Sequence, residues 1–385
     1  MHYKKKVAIV VGTRPECIKL APVYFELLKS PDIQPILLAT AQHRQMLDQS
    51  LKVFGLTPDF DLDLMQAGQS LEGLTSRILT AVCAWCDTEK PSAILVQGDT
   101  TTVFATAIAA FYKNIPLGHV EAGLRTGNIR SPFPEEMNRR LTTPLARWNF
   151  CPTEGSQENL LREGIAPGTI HVTGNTVIDA LCWVRSHFVS LGVDRDSVVA
   201  QARIPEAFAS RYIGASDARW ILVTGHRRES FGAGFENICA AIVELTHRFP
   251  EVGFLFPVHL NPQVRDVVYR RLQHEPRIAL VEPVDYPQFL WLMEHCYFIL
   301  SDSGGVQEEA PSLGKPVLVT RDTTERPEAV QAGACRLVGT NLDMILNEAS
   351  KLLSDEREYK SRSCIANPYG DGKSSARIRE ILEKL

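Results

Sequence analysis

CYFILSDSGGVQEEAPSLGKPVLVT, residues 296–320, runs from an apolar stretch through a Gly-Gly corner into a helix-like segment and out into a second apolar stretch. Strand, polar corner, helix and strand in this order form a βαβ unit, whose strands are parallel and joined by a right-handed crossover. The corner also poses a chemical question. Its glycines leave the backbone open to close approach, and the free N–H groups at a helix start attract an anion. Two carboxylates, Glu308 and Glu309, nevertheless follow within about a turn. A sugar nucleotide reconciles the two, with phosphate on the amides of Ser303, Gly304 and Gly305 and ribose hydroxyls on a carboxylate. Plain N-capping by Ser or Asp, with glutamates favoured near the helix start, accounts for the same residues.

The pattern repeats along the chain. Apolar runs at 5–12, 34–40, 92–99, 116–123, 148–153 and 170–175 alternate with helix-like segments. A second series at 219–226, 252–259, 277–283, 296–302 and 316–320 begins again, with a helix from Glu236 to Phe249. Short β-rich runs separated by helices predict an α/β fold of two Rossmann-like domains facing each other across a cleft. The polar segment 180–218 lacks strand signals and is expected to carry the linker, giving domains 1–180 and 181–365. Ligands of open parallel sheets bind beyond the carboxyl ends of the strands. GTRPE, QGDTTT, HVEAGLRTG, TGHRRES, PVHLNP and SDSGG all follow apolar runs directly.

The composition agrees with two domains. At 385 residues the chain exceeds the ~250 at which one hydrophobic core stops growing. It is 44% hydrophobic and 22% charged with a net charge of −4, which offers nucleic acid no basic surface. No apolar run approaches the ~18 residues of a membrane span. The basic, apolar start MHYKKKVAIVVG is too short and lacks the cleavage site of a signal peptide, so it reads as a first strand. A cytoplasmic protein is expected, and nine scattered cysteines fit a reducing compartment. Cys83-Ala-Trp-Cys86 has redox or zinc spacing but no second pair, and it continues a helical pattern as small buried groups.

Several clusters suit chemistry. Arg14, before Pro15 at an expected first helical position, can aim its planar fork at a phosphate or form a surface ion pair. Asp99, Glu121 and Glu135 follow strands or a helix start, where carboxylates facing one cleft can exchange protons. Each alone would serve equally as a cap or surface charge. TGHRRES (224–230) sets His226, Arg227 and Arg228 where they can bind phosphate oxygens, or simply form a polar loop. NPYGDGKSS (367–375) is not a P-loop, because Asn stands where the motif needs its first Gly and no strand precedes it.

VVGTRPECIKLAPV, TAQHRQML, QGDTTTVFATAIAAF, HVEAGLRTG, SPFPEEMNRRL, VTGNTVIDAL, VTGHRRESFG and SDSGGVQEEAPSLGKPVLVTRDTTERPEA, in this order from Val10 to about Ala329, resemble the non-hydrolysing UDP-N-acetylglucosamine 2-epimerases. The resemblance implies a GT-B-type fold whose C-terminal helix, within 366–385, crosses back to the first domain. It also implies interconversion of UDP-GlcNAc and UDP-ManNAc without a cofactor or metal, by elimination of UDP to 2-acetamidoglucal and re-addition. Carried over by motif, Asp99, Glu121 and Glu135 are the acid/base carboxylates and His226 is a catalytic-site histidine near the diphosphate. Arg14, Lys19 and Arg326 contact substrate. Ser303, Gly304 and Gly305 hold phosphate, Glu309 reads the ribose, and Phe289 packs beside the uracil, with any contact from Val284 made through its backbone. A second, activating UDP-GlcNAc site would use Gln42, Gln45, Arg227 and His259, with Glu135 bordering both sites. Ala41, in TAQH, departs from the commoner TGQH. The expected partners are UDP-GlcNAc, UDP-ManNAc and UDP, with no nucleic acid and no membrane, and the expected assembly is a homodimer. Alternatives are a hydrolysing epimerase, an epimerase of a related UDP-2-acetamido sugar, and a UDP-sugar glycosyltransferase on the same fold.

Overall fold

The computed structural model describes residues 4–66, 68–214, 218–227 and 230–385. The chain forms two compact units, Met1–Trp183 with Tyr369–Leu385, and Val184–Pro368. The first passage between them falls inside one helix, Thr176–Ser186, and the second, at Pro368–Tyr369, in a turn. The segment without strand signals is helical, continuing through Arg195–Ala202 and Glu206–Tyr212. No helix of the described residues is long and apolar enough to cross a membrane.

The first unit carries β1 (Lys5–Val11), β2 (Ile33–Ala39), β3 (Phe60–Asp61), β4 (Ala93–Gln97), β5 (Leu117–Val120), β6 (Trp148–Cys151) and β7 (Ile170–Val172). They form one parallel sheet in the order β3-β2-β1-β4-β5-β6-β7. The second unit carries β8 (Trp220–Thr224), β9 (Gly253–Pro257), β10 (Ile278–Val281), β11 (Ile299–Ser301), β12 (Val317–Val319) and β13 (Cys335–Leu337). Its parallel order is β10-β9-β8-β11-β12-β13. Both are doubly wound, as the alternating pattern predicts, and the middles of their central strands are apolar because helices cover both faces. Val7, Ala8 and Ile9 of β1 and Ile221 and Leu222 of β8 are fully buried. Each buried Val, Leu, Ile or Phe contributes about 1.5–3 kcal/mol relative to exposure.

The C-terminal helix Ser374–Leu382 returns to the first unit and packs on the helix Arg14–Leu28. Ile378 and Leu382 are fully buried. Asp179 closes this dock by accepting from the backbone N–H groups of Ser374 (3.2 Å) and Ser375 (2.8 Å). The amides of the rejected P-loop-like stretch therefore serve a side chain of their own unit.

Each sheet has one place where the strand order reverses direction, between β1 and β4 in the first and between β8 and β11 in the second. These switch points are where open α/β sheets bind ligands.

Ala41, just beyond β2, is fully buried with φ +52°. A left-handed backbone costs a non-glycine residue about 1–2 kcal/mol. Glycine would relieve that strain but lose a buried methyl, about 0.8 kcal/mol, and some unfolded-state entropy. Ala41→Gly is therefore expected to be close to neutral in urea unfolding. Ala39→Gly, at an equally buried position in β2, should cost about 1 kcal/mol or more.

Candidate active site

At the first switch point, Gly12-Thr13 follow β1 and the helix Arg14–Leu28 begins one residue earlier than the sequence suggests, so Arg14 takes the first helical position and Pro15 the second. Arg14 is exposed. Glu16, behind it, is 1% exposed and ties the switch together. It accepts from the N–H groups of Gly12 (2.6 Å) and Thr13 (2.7 Å), and from the hydroxyl of Thr100 beyond β4. Burial dominates these bonds and raises its carboxyl to about 7. The folded state then holds a proton that the unfolded chain gives up near 4.5. This stabilisation is full below pH 4.5 and is lost as pH rises through 7, at ~1.4 kcal/mol per pKa unit. Glu16→Gln retains an oxygen for the two amides and an NH2 for Thr100. It should fold, and its unfolding free energy should lack the wild-type decline between pH 4.5 and 7.

Asp99 lies two residues beyond β4, with its carboxylate 2.5 Å from Arg139 and its carbonyl accepting from the Asn138 side chain at 2.8 Å. Arg139 is itself buried and lies 3.3 Å from Glu136, which is fully buried and accepts from Thr126 N–H. Glu135 opens the same helix, Glu135–Thr142, and is half-buried.

Glu121 follows β5 directly, 9% exposed and in the left-handed region at φ +65°. A non-glycine residue held there costs of order 1–3 kcal/mol, and such strain clusters at functional sites. Both carboxylate oxygens are engaged, Oε1 by Lys19 Nζ at 2.5 Å and Oε2 by the Gln97 amide. Lys19, a substrate contact by resemblance, is thus buried as the ionic partner of Glu121. Gln42 accepts from the N–H and hydroxyl of Thr102 at 3.1 and 2.9 Å, whereas Gln45 is exposed.

The second switch point repeats the device. Asp302, just after β11, is 1% exposed, and its Oδ2 accepts from His226 N–H (2.7 Å) and Arg227 N–H (2.8 Å) beyond β8. His226 Nδ1 lies 3.0 Å from Oδ1. Burial works against ionisation of Asp302, but the His226 imidazole and the two amides outweigh it and hold the carboxyl below its usual range. The His226 ring stacks on His259, 5.8 Å between centroids. Arg228 lies outside the described residues. Asp302 caps no helix here: the N-cap of Gly304–Glu309 is Ser303, which makes no side-chain capping bond.

The two glycines of the corner are bare for different reasons. A Cβ on Gly304 would come 2.5 Å from the Arg326 guanidinium carbon, whereas one on Gly305 would meet nothing closer than 3.8 Å. Arg326 lies 2.7 Å from both Glu308 and Glu325. Glu325 is the centre of a cluster, 2.9 Å from Arg321 and 3.9 Å from Arg227. Glu309 is 5% exposed and accepts from the Tyr286 hydroxyl at 2.5 Å. Val284, two residues before the helix Tyr286–His295, and Phe289, within it, are half-buried.

Sequence reasoning passed over Glu16, Gln97, His119, Arg139 and Glu325 and gave Asp302 only a capping role. Glu16, Gln97, His119 and Asp302 lie in strand-end clusters, which could have flagged them, whereas Arg139, inside the helix Glu135–Thr142, and Glu325 carry no such mark. Cys83 and Cys86 form no disulfide, and burial pushes the Cys86 thiol up to about 12, which leaves it unreactive.

Comparison with known proteins bears on this arrangement. The sequence family described as UDP-N-acetylglucosamine 2-epimerase matches residues 26–383. The chain is 53% identical over 379 residues to the UDP-N-acetylglucosamine 2-epimerase of Escherichia coli K12, covering 98% of each chain. Among solved structures, the Neisseria meningitidis UDP-GlcNAc 2-epimerase bound to UDP-GlcNAc superposes with a TM-score of 0.90 at 46% identity, covering 99% of this chain and 100% of that one. The Methanocaldococcus jannaschii enzyme in complex with UDP-GlcNAc and UDP gives 0.80 at 34%, with coverage of 99% and 100%. With the switch-point geometry, the matched family and these relatives, the chain belongs to the UDP-N-acetylglucosamine 2-epimerase family and has its two-domain, GT-B-type architecture.

Proposed function

We propose that this protein interconverts UDP-GlcNAc and UDP-ManNAc without hydrolysing them. A carboxylate takes the C2 proton, the C1–O bond breaks, and UDP departs with the bonding electrons to leave 2-acetamidoglucal. UDP oxygen then re-forms the bond at C1 while C2 is protonated on the opposite face. The observation that carries this reading is the pair of carboxylates on adjacent strand ends. Asp99 is gripped by Arg139, and Glu121 is held in a strained backbone between Lys19 and Gln97. Two acid/base groups on neighbouring strands suit proton removal and return at one carbon.

In the second unit, the amides of Ser303, Gly304 and Gly305 with His226 would bind the diphosphate, Glu309 the ribose, and Phe289 the uracil. Arg14 and Arg326 would add positive charge, and Glu135 would complete the acid/base set. Gln42, Gln45, Arg227 and His259 would form the activating site. Nine free cysteines support a cytoplasmic setting, and the protein would act as a homodimer.

Incubation with UDP-GlcNAc in deuterated water tests the chemistry. Deuterium should enter C2 as UDP-ManNAc appears, and both products should remain UDP-linked. Retention of the original hydrogen at C2 would exclude the elimination route, and free ManNAc in place of UDP-ManNAc would identify a hydrolysing enzyme. A lag from pure UDP-ManNAc, abolished by added UDP-GlcNAc, is expected of the activating site.

A further inference from the structure

His119 lies on β5, two residues before Glu121, and is fully buried. Its Nε2 lies 2.7 Å from the carbonyl of Gly98. A carbonyl can only accept, so Nε2 carries the hydrogen and Nδ1 is left as a lone pair, with no partner among the described residues. A ring retained for packing alone would be apolar and would bury no orphaned nitrogen. Burial first, with Arg125 and Arg139 nearby, pushes this imidazole down to about 4, so the neutral donor form persists at neutral pH.

What the bond holds is the turn between Gln97 and Asp99. Gly98 has φ +81°, and its N–H donates to Val120 carbonyl at 3.0 Å. A Cβ there would lie 3.7 Å from Glu121 Oε2, so the turn sits directly against that carboxylate. Gln97, on the other side, donates to Glu121. The three consecutive residues 119–121 thus each grip the Gln97–Gly98 corner, and Asp99 follows at once.

We infer that His119 is a positioning residue that locks the Gly98–Asp99 peptide and so fixes the offset between the Asp99 and Glu121 carboxylates. The inference rests on the proposed epimerisation. Two carboxylates serving one carbon need a fixed separation, and a displacement of ~1 Å can cost 10²-fold in rate.

The test compares His119→Phe, which fills the space without a donor, with His119→Gln, whose amide NH2 can reach the Gly98 carbonyl. His119→Phe should lower kcat for UDP-GlcNAc by about 10- to 100-fold with KM within about 3-fold of wild type, the pattern of a misplaced group. Released UDP and 2-acetamidoglucal should rise per turnover. His119→Gln should recover at least about half of the lost activity on a logarithmic scale. Wild-type kcat in His119→Phe, or equal losses in folded Phe and Gln variants, would overturn the inference. If the Phe variant does not fold, His119→Asn, whose amide stops short of Gly98, takes its place with the same two outcomes. Failure of the epimerase reading is separable, because wild-type protein would then show no deuterium at C2.

Discussion

Glu121→Gln is expected to lower kcat by about 10² or more, the usual scale for losing a general acid or base. The amide removes the negative charge and turns an NH2 toward either Lys19 or the Gln97 amide, both of which are donors. Asp99→Asn should show a loss of the same order. It retains an oxygen for Arg139 but can no longer take a proton. Glu135→Gln should follow them. The measurement is steady-state turnover of UDP-GlcNAc alongside calorimetric binding of UDP. If the proposal holds, kcat falls while UDP affinity stays within a few-fold. A variant with near-normal kcat removes its residue from the acid/base set, and a loss confined to KM makes it a binding group instead. The single losses should not add in a double variant, because groups acting on one carbon fail as a unit.

The second large effect concerns stability. Burial opposes ionisation of Glu325, but Arg326, then Arg321 and Arg227, outweigh it and hold the carboxyl at about 2, against 4.5 for an unperturbed one. A depressed carboxylate stabilises the folded state above its unfolded pKa, and that contribution disappears as pH falls through the folded value. For Glu325 the shift corresponds to about 3 kcal/mol at neutral pH, to order of magnitude. Glu325→Gln also removes one negative charge from beside Arg321 and Arg326, in a site where Glu325 is only 11% exposed. Amide exchange in β8 and β12 reads the second unit by itself. Protection there should drop by about 10²-fold at pH 7, and the difference from wild type should vanish between pH 4.5 and about 2. A difference that persists unchanged to pH 2 would mean that packing, not charge, is what the substitution disturbs.

The two sheets were legible because their central strands are covered on both sides and so carry apolar runs, as in AILV of β4 and WILV of β8. Phe60–Asp61 and Cys335–Leu337 escaped because Asp61 and Arg336 break up what little apolar run such short edge strands have, whereas the equally short Ile170–Val172 carries no such charge. The strand-end clusters marked where chemistry would gather, but not which charges would be consumed in holding the turns. GTRPE drew attention to Arg14, which is exposed, and away from Glu16, which is buried beneath it. Asp302 looked like a helix cap, and its true partners lie 76 and 75 residues away in sequence, beyond β8. Lys19 and Glu121 are 102 residues apart, so no local pattern could pair them. What sequence spacing cannot express is a bond across a switch point, because it joins strands that are neighbours only in the finished sheet.

The return of the C-terminal helix has a consequence for the order in which the protein can be made. The second unit is one continuous stretch, so it is complete when residue 368 leaves the ribosome. The first unit, although synthesised earliest, still lacks residues 369–385 at that moment. Until they emerge, the face of Arg14–Leu28 that receives Ile378 and Leu382 is bare, and Asp179 has neither serine amide to accept from. Domains generally fold as units in the order of synthesis. Here the first unit stays incomplete until residues 369–385 follow, so a ribosome stalled before they emerge strands the domain made first.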